Sequence, residues 1–335
     1  MIRTYQDGDA EAINALYQRV FGKTRSLVEW QWKFEQFSYG APVIVVAELD
    51  GHLVGHAACL KIPARRQGQP VLLGERVDIM VDPAYQGRGI YKAIVSRMLE
   101  ECQLQRIDVL YGFPAQKAKD VFIAVSKGAD LGNVPRFLAI NKPGALIASK
   151  LPALSILNKP VNAVYSLFQN LKSSYSVREI GSADLDVIDR LYERFSGQYP
   201  LHAVRGADYI KRRFLMHPSK DYQVCVIERS GDSAAFVVLH TEKQKGVAFT
   251  TVVDIWGANE EKALADMLRA VRAFASGDAL NCWAIDGSFR YQALKQAGFR
   301  HINSPMPFVI KTLDDNIAAG SMSDWHVSQS DVDSY

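Results

Sequence analysis

Between residues 75 and 99 the chain changes its period, and that change restricts the fold more than any other stretch. Glu75, Val77, Ile79 and Val81 alternate with Arg76, Asp78 and Met80, the period of a pleated strand. Pro83 ends the run because it cannot donate to a ladder. Gln86, Gly87, Arg88, Gly89, Ile90 and Tyr91 follow, and then Ile90, Ala93, Ile94, Val95, Met98 and Leu99 recur near helical spacing. A two-glycine turn at the mouth of a helix leaves backbone N–H groups unpaired and aimed outward. Such an end draws phosphate, because free donors and helix dipole act together.

The remaining composition fits an ordinary globular chain. Its 335 residues suggest two or three domains, and 48% hydrophobic residues supply a substantial core. A net charge of +3 with no basic run gives no reason to expect nucleic acid. Cys59, Cys102, Cys225 and Cys282 stand far apart, as reduced buried thiols do, and His202, His217, His240 and His301 lack metal-ligand spacing. No metal is therefore expected. The N-terminus lacks a signal peptide's apolar region and no apolar run spans a bilayer, so the expected location is cytoplasmic.

In chain order, residues 2–5 read as a strand, and Ala12, Ile13, Leu16, Tyr17 and Val20 as a helix capped by Asp9. The aromatic cluster Trp30-Gln31-Trp32-Lys33-Phe34 reads as a core anchor. Runs 43–48 and 53–60 join through Asp50-Gly51 as a hairpin. Residues 108–113 then read as a strand and 115–127 as a helix stopped by Gly128.

Beyond a connector the plan recurs. Runs 224–228 and 235–239 flank Ser230-Gly231-Asp232, and Val253-Asp254-Ile255 mirrors Val77-Asp78-Ile79. Arg212-Arg213-Phe214 stands where Trp32-Lys33-Phe34 stood. The second copy lacks the glycine turn, and Glu260 and Glu261 there would repel a diphosphate. The expected division is a first domain at 1–140, a connector at 141–175, a second domain at 176–313 and a polar tail at 314–335. The connector has no acidic residue and many apolar ones and reads in its middle as short helices between the two domains, with weak contact with an anionic membrane surface as the alternative reading. The tail's tryptophan and its paired aspartates are candidates to fold over an acceptor cleft.

The order Gln86-x-x-Gly89 directly after Val81-Asp82-Pro83 resembles the pyrophosphate loop of the GNAT superfamily of acyl-CoA-dependent N-acyltransferases. The sequence departs from that pattern at Tyr91, where the family usually has Gly or Ala. The resemblance implies an α/β fold of two tandem GNAT-like domains, each a mostly antiparallel twisted sheet flanked by helices. It implies acetyl-CoA or another acyl-CoA as co-substrate, held at Gln86, Gly87, Arg88, Gly89, Ile90 and Tyr91, with the thioester carbonyl near Met80 or Val81. Glu75 has the spacing of the family's general base. Asp78, in the repeated Val-Asp-Ile context, is the second candidate, on the opposite face of a regular strand unless a bulge intervenes. The family's usual thiolate-protonating tyrosine is missing, with Phe122 or Ala124 in its region, which leaves Tyr111 and Tyr91 as neighbours.

The whole layout also resembles bacterial GNAT proteins of surface-polysaccharide and amino-sugar metabolism. The expected reaction is acyl transfer, with acetyl as the expected group, to a small-molecule primary amine such as an amino sugar or sugar nucleotide. Two alternatives stay open: a non-catalytic acyl-CoA-binding or partner-binding protein, and a Fem-type aminoacyl transferase, which uses charged tRNA.

Overall fold

The structure is a computed structural model that describes residues 1–303, 306–314, 317 and 320–333. β1 (Ile2–Thr4) lies antiparallel on β2 (Val43–Leu49), which turns into β3 (His52–Arg66). Asp50 and Gly51 take φ of 50° and 75° there, the left-handed geometry that matches a hairpin's twist. β3 pairs with β4 (Gln69–Val81), and β4 runs parallel to β5 (Val109–Gly112). Helices α1 (Asp9–Phe21) and α2 (Leu27–Gln31) cover one face of this sheet through Ile13, Leu16 and Trp30. The other face carries α3 (Ile90–Leu104) and α4 (Gln116–Ser126), packed through Ile94, Met98 and Phe122. Asp9 is not the cap of α1: Gly8, at φ 97°, takes that place, and the Asp9 carboxylate accepts from Arg3 and from the Gln6 N–H.

β6 (Ala129–Asn133) and β7 (Arg136–Ile140) follow, then α5 (Pro143–Lys150), α6 (Asn158–Leu167), β8 (Ser176–Glu179) and α7 (Asp186–Ser196). β9 (Leu201–Ala203) pairs with β3, and α8 (Ala207–Ile210) leads to β10 (Tyr222–Arg229), β11 (Asp232–Gln244) and β12 (Val247–Gly257). α9 (Glu261–Phe274), β13 (Ala279–Trp283), α10 (Phe289–Gln296), β14 (Arg300–Ile302) and β15 (Pro307–Thr312) complete the elements.

The two sheets have matching orders: β1-β2-β3-β4-β5-β15-β6 and β8-β10-β11-β12-β13-β7-β14. Their sixth strands are exchanged. β7, inside the expected first domain, pairs with β13 and β14, whereas β15, inside the expected second, lies between β5 and β6. The divisions at 140 and 313 therefore do not coincide with the sheets. Only Val134 and Pro135 separate β6 from β7, and Pro135 cannot extend the first ladder, so the chain crosses over there.

One hydrophobic core joins the sheets, with Val77 and Tyr111 from the first, Phe236 and Trp256 from the second, and Trp325, Val327 and Val332 from the tail. Described residues 320–333 are thus no loose end over most of their length. Arg205, fully buried, holds the tail in place: its Nε donates to Asp254 at 2.6 Å and its Nη2 to Asp331 at 2.6 Å. Tyr209 donates its hydroxyl to the Ser330 carbonyl at 2.9 Å. Removing one partner from such a buried cluster leaves uncompensated charge. Arg205→Ala should lower unfolding stability by about 3–5 kcal/mol, measured by urea denaturation at neutral pH.

Candidate active site

The site begins where β4 leaves its partner. β4 and β5 share only the pairs Leu73–Val109, Gly74–Leu110 and Glu75–Tyr111, and beyond them the strands part. Past Val81, Asp82 caps a short helical turn by accepting from the Ala84 N–H and is bridged by Arg19 at 2.7 Å. Gly87 and Gly89 then take φ of 78° and 77°, a region that L side chains avoid, and a Cβ at either would meet open space. Gly89 caps α3 without a side chain, and no acidic residue occupies the first turn of that 15-residue helix. The amides at this end retain their capacity for an anion.

A cavity of about 580 Å³ borders the turn, lined by Ile79, Met80, Val81, Gln86, Gly87, Gly89, Ile90 and Tyr91 with Ala118 and Val121 of α4. Arg88 is not in that lining; its guanidinium is exposed and stands 5.1 Å from the Tyr85 ring. A second cavity of about 410 Å³ shares Ile79, Tyr91, Ala115 and Ala118 with the first and continues between the parted strands to Glu75, Asp78 and Asp333. Tyr17, Phe21 and Phe113 form its aromatic wall.

Both candidate carboxylates reach this second cavity although they stand three positions apart on the strand. The register between β3 and β4 shifts at this point, His56 facing Met80 and Ala58 facing Val77, and Asp78 takes φ 48°. The extra residue reverses the side-chain parity and turns Asp78 toward the face that Glu75 occupies.

The two acids are held in opposite electrostatic states. Glu75 is buried, and its Oε1 accepts from the Asp333 N–H at 2.8 Å. Burial, aided by the Asp333 charge and opposed by Arg213 and Lys33, pushes its carboxyl up to about 8. Asp78 bridges Arg25 at 2.5 Å and Lys33 at 2.9 Å. Burial raises it too, but the Lys33 and Arg25 charges outweigh burial and hold it well below the usual carboxylate range. Lys33 also contacts Asp333 at 2.5 Å; burial lowers its ammonium, yet the Asp333 and Asp78 carboxylates leave it raised. His56 Nδ1 lies 2.7 Å from the Asp78 carbonyl oxygen, so that nitrogen carries the proton and donates. Burial pushes His56 down to about 4, which keeps the ring neutral.

Tyr91 lines both cavities, whereas Tyr111 lines neither and packs 6.1 Å from the Trp325 ring. Arg25 and His56 had no signal in the sequence, and Lys33 stood out only as a cation among rings. Their roles depend on contacts 22 to 53 residues apart.

The second sheet has the corresponding parting: β12 and β13 share the pairs Phe249–Ala279, Thr250–Leu280 and Thr251–Asn281. The tail enters there, with Gln329 donating to Asn281 Oδ1 and Ser330 to Asp254 Oδ2. At the mouth of α9, Glu260 takes the cap position and Glu261 the first turn. Of these two partings, the first adjoins a glycine turn and the second holds the chain's own tail.

Residues 1–119 match the acetyltransferase (GNAT) domain family. No curated protein matches the chain. Among solved structures it is similar to a GCN5-related N-acetyltransferase from Anabaena variabilis, with TM-score 0.65 and 11% identity over 94% of this chain and 73% of that one. It is also similar to a probable N-acyltransferase from Enterococcus faecalis, with TM-score 0.66 and 10% identity over 94% of this chain and 72% of that one. For Saccharomyces cerevisiae N-myristoyltransferase with bound myristoyl-CoA the TM-score is 0.62, at 10% identity over 92% and 82% of the two chains. The chain thus has the fold of these proteins, two mixed sheets flanked by helices in the manner of two GNAT-like domains, with its first 119 residues matching the acetyltransferase (GNAT) family.

Proposed function

We propose that the chain is an N-acyltransferase that moves an acyl group, acetyl in the simplest case, from acyl-CoA to a primary amine. One observation carries this reading: two adjoining cavities run from the glycine turn of α3, between the parted strands, to a buried carboxyl whose proton affinity is set near neutrality. The residues suit a CoA diphosphate, because the turn offers uncapped amides and a floor without side chains. A fold neighbour holds myristoyl-CoA, in agreement with that choice of donor.

The roles follow from the geometry. An amine is mostly ammonium at neutral pH and attacks only as the free base. Glu75, once ionised, takes the proton from the nitrogen as the C–N bond forms and the C–S bond breaks. Beyond Glu75, β4 has no strand partner on its β5 side among the described residues, and backbone around Ile79, Met80 and Val81 borders the cavity where a thioester carbonyl would be polarised. Tyr91, which borders both cavities, is placed to return a proton to the departing sulfur. Asp78 acts here as an ionised anchor for Lys33 and Arg25 rather than as the base.

On the acceptor side, carboxylates at Asp78 and Asp333 stand beside the rings of Tyr17, Phe21 and Phe113. An aromatic wall with polar groups beside it suits a hydroxylated ring, and an amino sugar or sugar nucleotide of surface polysaccharide is the acceptor class we propose. Calorimetry with acetyl-CoA, followed by thiol release across a panel of amines that includes amino sugars, tests the reading. Binding with turnover on an amine sustains it; tight binding without turnover on any amine favours a sensor, and no binding removes the CoA reading.

Glu75→Gln should lower kcat/KM by about 10²–10⁴-fold and abolish the rise in rate that ionisation near pH 8 supplies, leaving only the acceptor's own titration. The same variant tests the burial of the carboxyl. With the carboxyl raised in the folded state from about 4.5 to about 8, the stability of its neutral form is complete below pH 4.5 and is lost as pH rises through 8. The Tm of Glu75→Gln should match wild type at the acid end, exceed it increasingly up to pH 8, and hold a constant margin above. Gly89→Val should raise the KM for acyl-CoA about tenfold through backbone strain at the turn, with a smaller change in kcat.

A further inference from the structure

The acid-free stretch folds as α5, a short helical segment at Pro152–Leu157, and α6. Its inner side is tied to the second sheet: Gln169 Nε2 donates to the Ile140 carbonyl at 2.9 Å, and Gly144 accepts no Cβ because Asn158 backbone lies 2.7 Å from where one would stand. Its outer side has no cover among the described residues. Sixteen large hydrophobic side chains are exposed on the described molecule, and eight of them fall between Ile147 and Phe168. Ile156, Leu167 and Phe168 are 84%, 81% and 82% exposed. Concentration of this kind marks a contact surface rather than the scattered exposure of any globular protein.

The charge around these tips has one sign. No Asp or Glu occurs from residue 131 to residue 178, while Lys142, Lys150, Lys159 and Lys172 are exposed and make no ion pair among the described residues. At the far end of α6, Phe168 borders a cavity of about 590 Å³ lined also by Arg269, Arg272 and Arg300. The apolar tips protrude rather than form a groove, which suits a deformable apolar phase better than a rigid ligand. A twofold contact with a second copy would set lysine against lysine. No helix of the described residues is long and apolar enough to cross a bilayer, so the contact is interfacial.

We propose that residues 142–172 dock the protein on an anionic lipid surface, the exposed side chains of α5, the 152–157 segment and α6 entering the headgroup layer while the lysines and Arg300 face lipid phosphates. Apolar burial holds the contact and charge selects the surface. This surface is separate from the acyl-transfer cavities, and the inference stands or falls independently of that reading.

Co-sedimentation of the full chain with vesicles tests it. Wild type should pellet with phosphatidylcholine vesicles that contain phosphatidylglycerol, pellet far less with phosphatidylcholine alone, and be released by high salt. Ile156→Asp and Phe168→Asp, both at sites too exposed to affect folding, should each weaken partitioning about tenfold or more. Lys150→Glu with Lys159→Glu should remove most of the preference for anionic lipid. Thermal melting of each variant at the wild-type temperature confirms that the fold is retained. Failure of wild type to pellet with anionic vesicles at low salt overturns the proposal, as does pelleting indifferent to Ile156→Asp and Phe168→Asp. Concentration-dependent self-association that these variants abolish, without vesicle binding, assigns the face to a second copy instead and equally overturns it.

Discussion

The early end of the β4–β5 ladder is the constraint on which the site rests. Three parallel pairs are enough to lock the strands in register, and the divergence beyond Glu75 and Tyr111 opens the sheet without breaking the core on either side. A gap inside a sheet would normally leave backbone donors and acceptors without partners. Here the parted strands border two adjoining cavities, one reaching the glycine turn and the other Glu75, Asp78 and Asp333. Gly112 marks the limit of closure: a Cβ at that position would stand 3.0 Å from the Arg76 guanidinium, which crosses the opening to reach the Val309 carbonyl.

Electrostatics then separates two carboxylates that the bulge has brought to one cavity. Cations saturate Asp78, and its ionised form is stabilised although the group is buried. Glu75 receives one backbone hydrogen bond and the repulsion of Asp333, and burial dominates. The contrast is a general way to hold two neighbouring carboxyls in different protonation states. The lysine between Asp78 and Asp333 also ties the tail to β4, so the geometry around Glu75 depends on a segment about 260 residues later in the chain.

The tail explains why two sheets with the same strand order differ chemically. In the second sheet the corresponding opening receives Gln329 and Ser330, and Arg205 neutralises the carboxylates of Asp254 and Asp331 around it. The parting that borders a cavity in the first sheet is occupied by the chain's own tail in the second. The exchange of β7 and β15 further binds the halves, since neither sheet is complete without a strand from beyond its own stretch of chain.

By itself the sequence determined what local chemistry dictates. The strand over residues 75–81, the left-handed turn residues Asp50-Gly51 and Ser230-Gly231, and the helix following Gly89 each depend on a few adjacent residues, and each is found in the structure, although the strand's alternation breaks at Asp78. The glycine turn was legible for the same reason, whereas Glu75 was singled out by the spacing of the family the sequence resembles. Tertiary structure decided the rest. A one-residue register shift placed Asp78 beside Glu75, since strand parity cannot be read through a bulge. The crossing of β7 and β15 involves short strands with no periodicity that names a partner. The charge state of Glu75 was set by desolvation and by Asp333, Lys33 and Arg213, groups remote in sequence, because Coulomb interaction depends on distance in space and on the medium between, and neither is written along a chain.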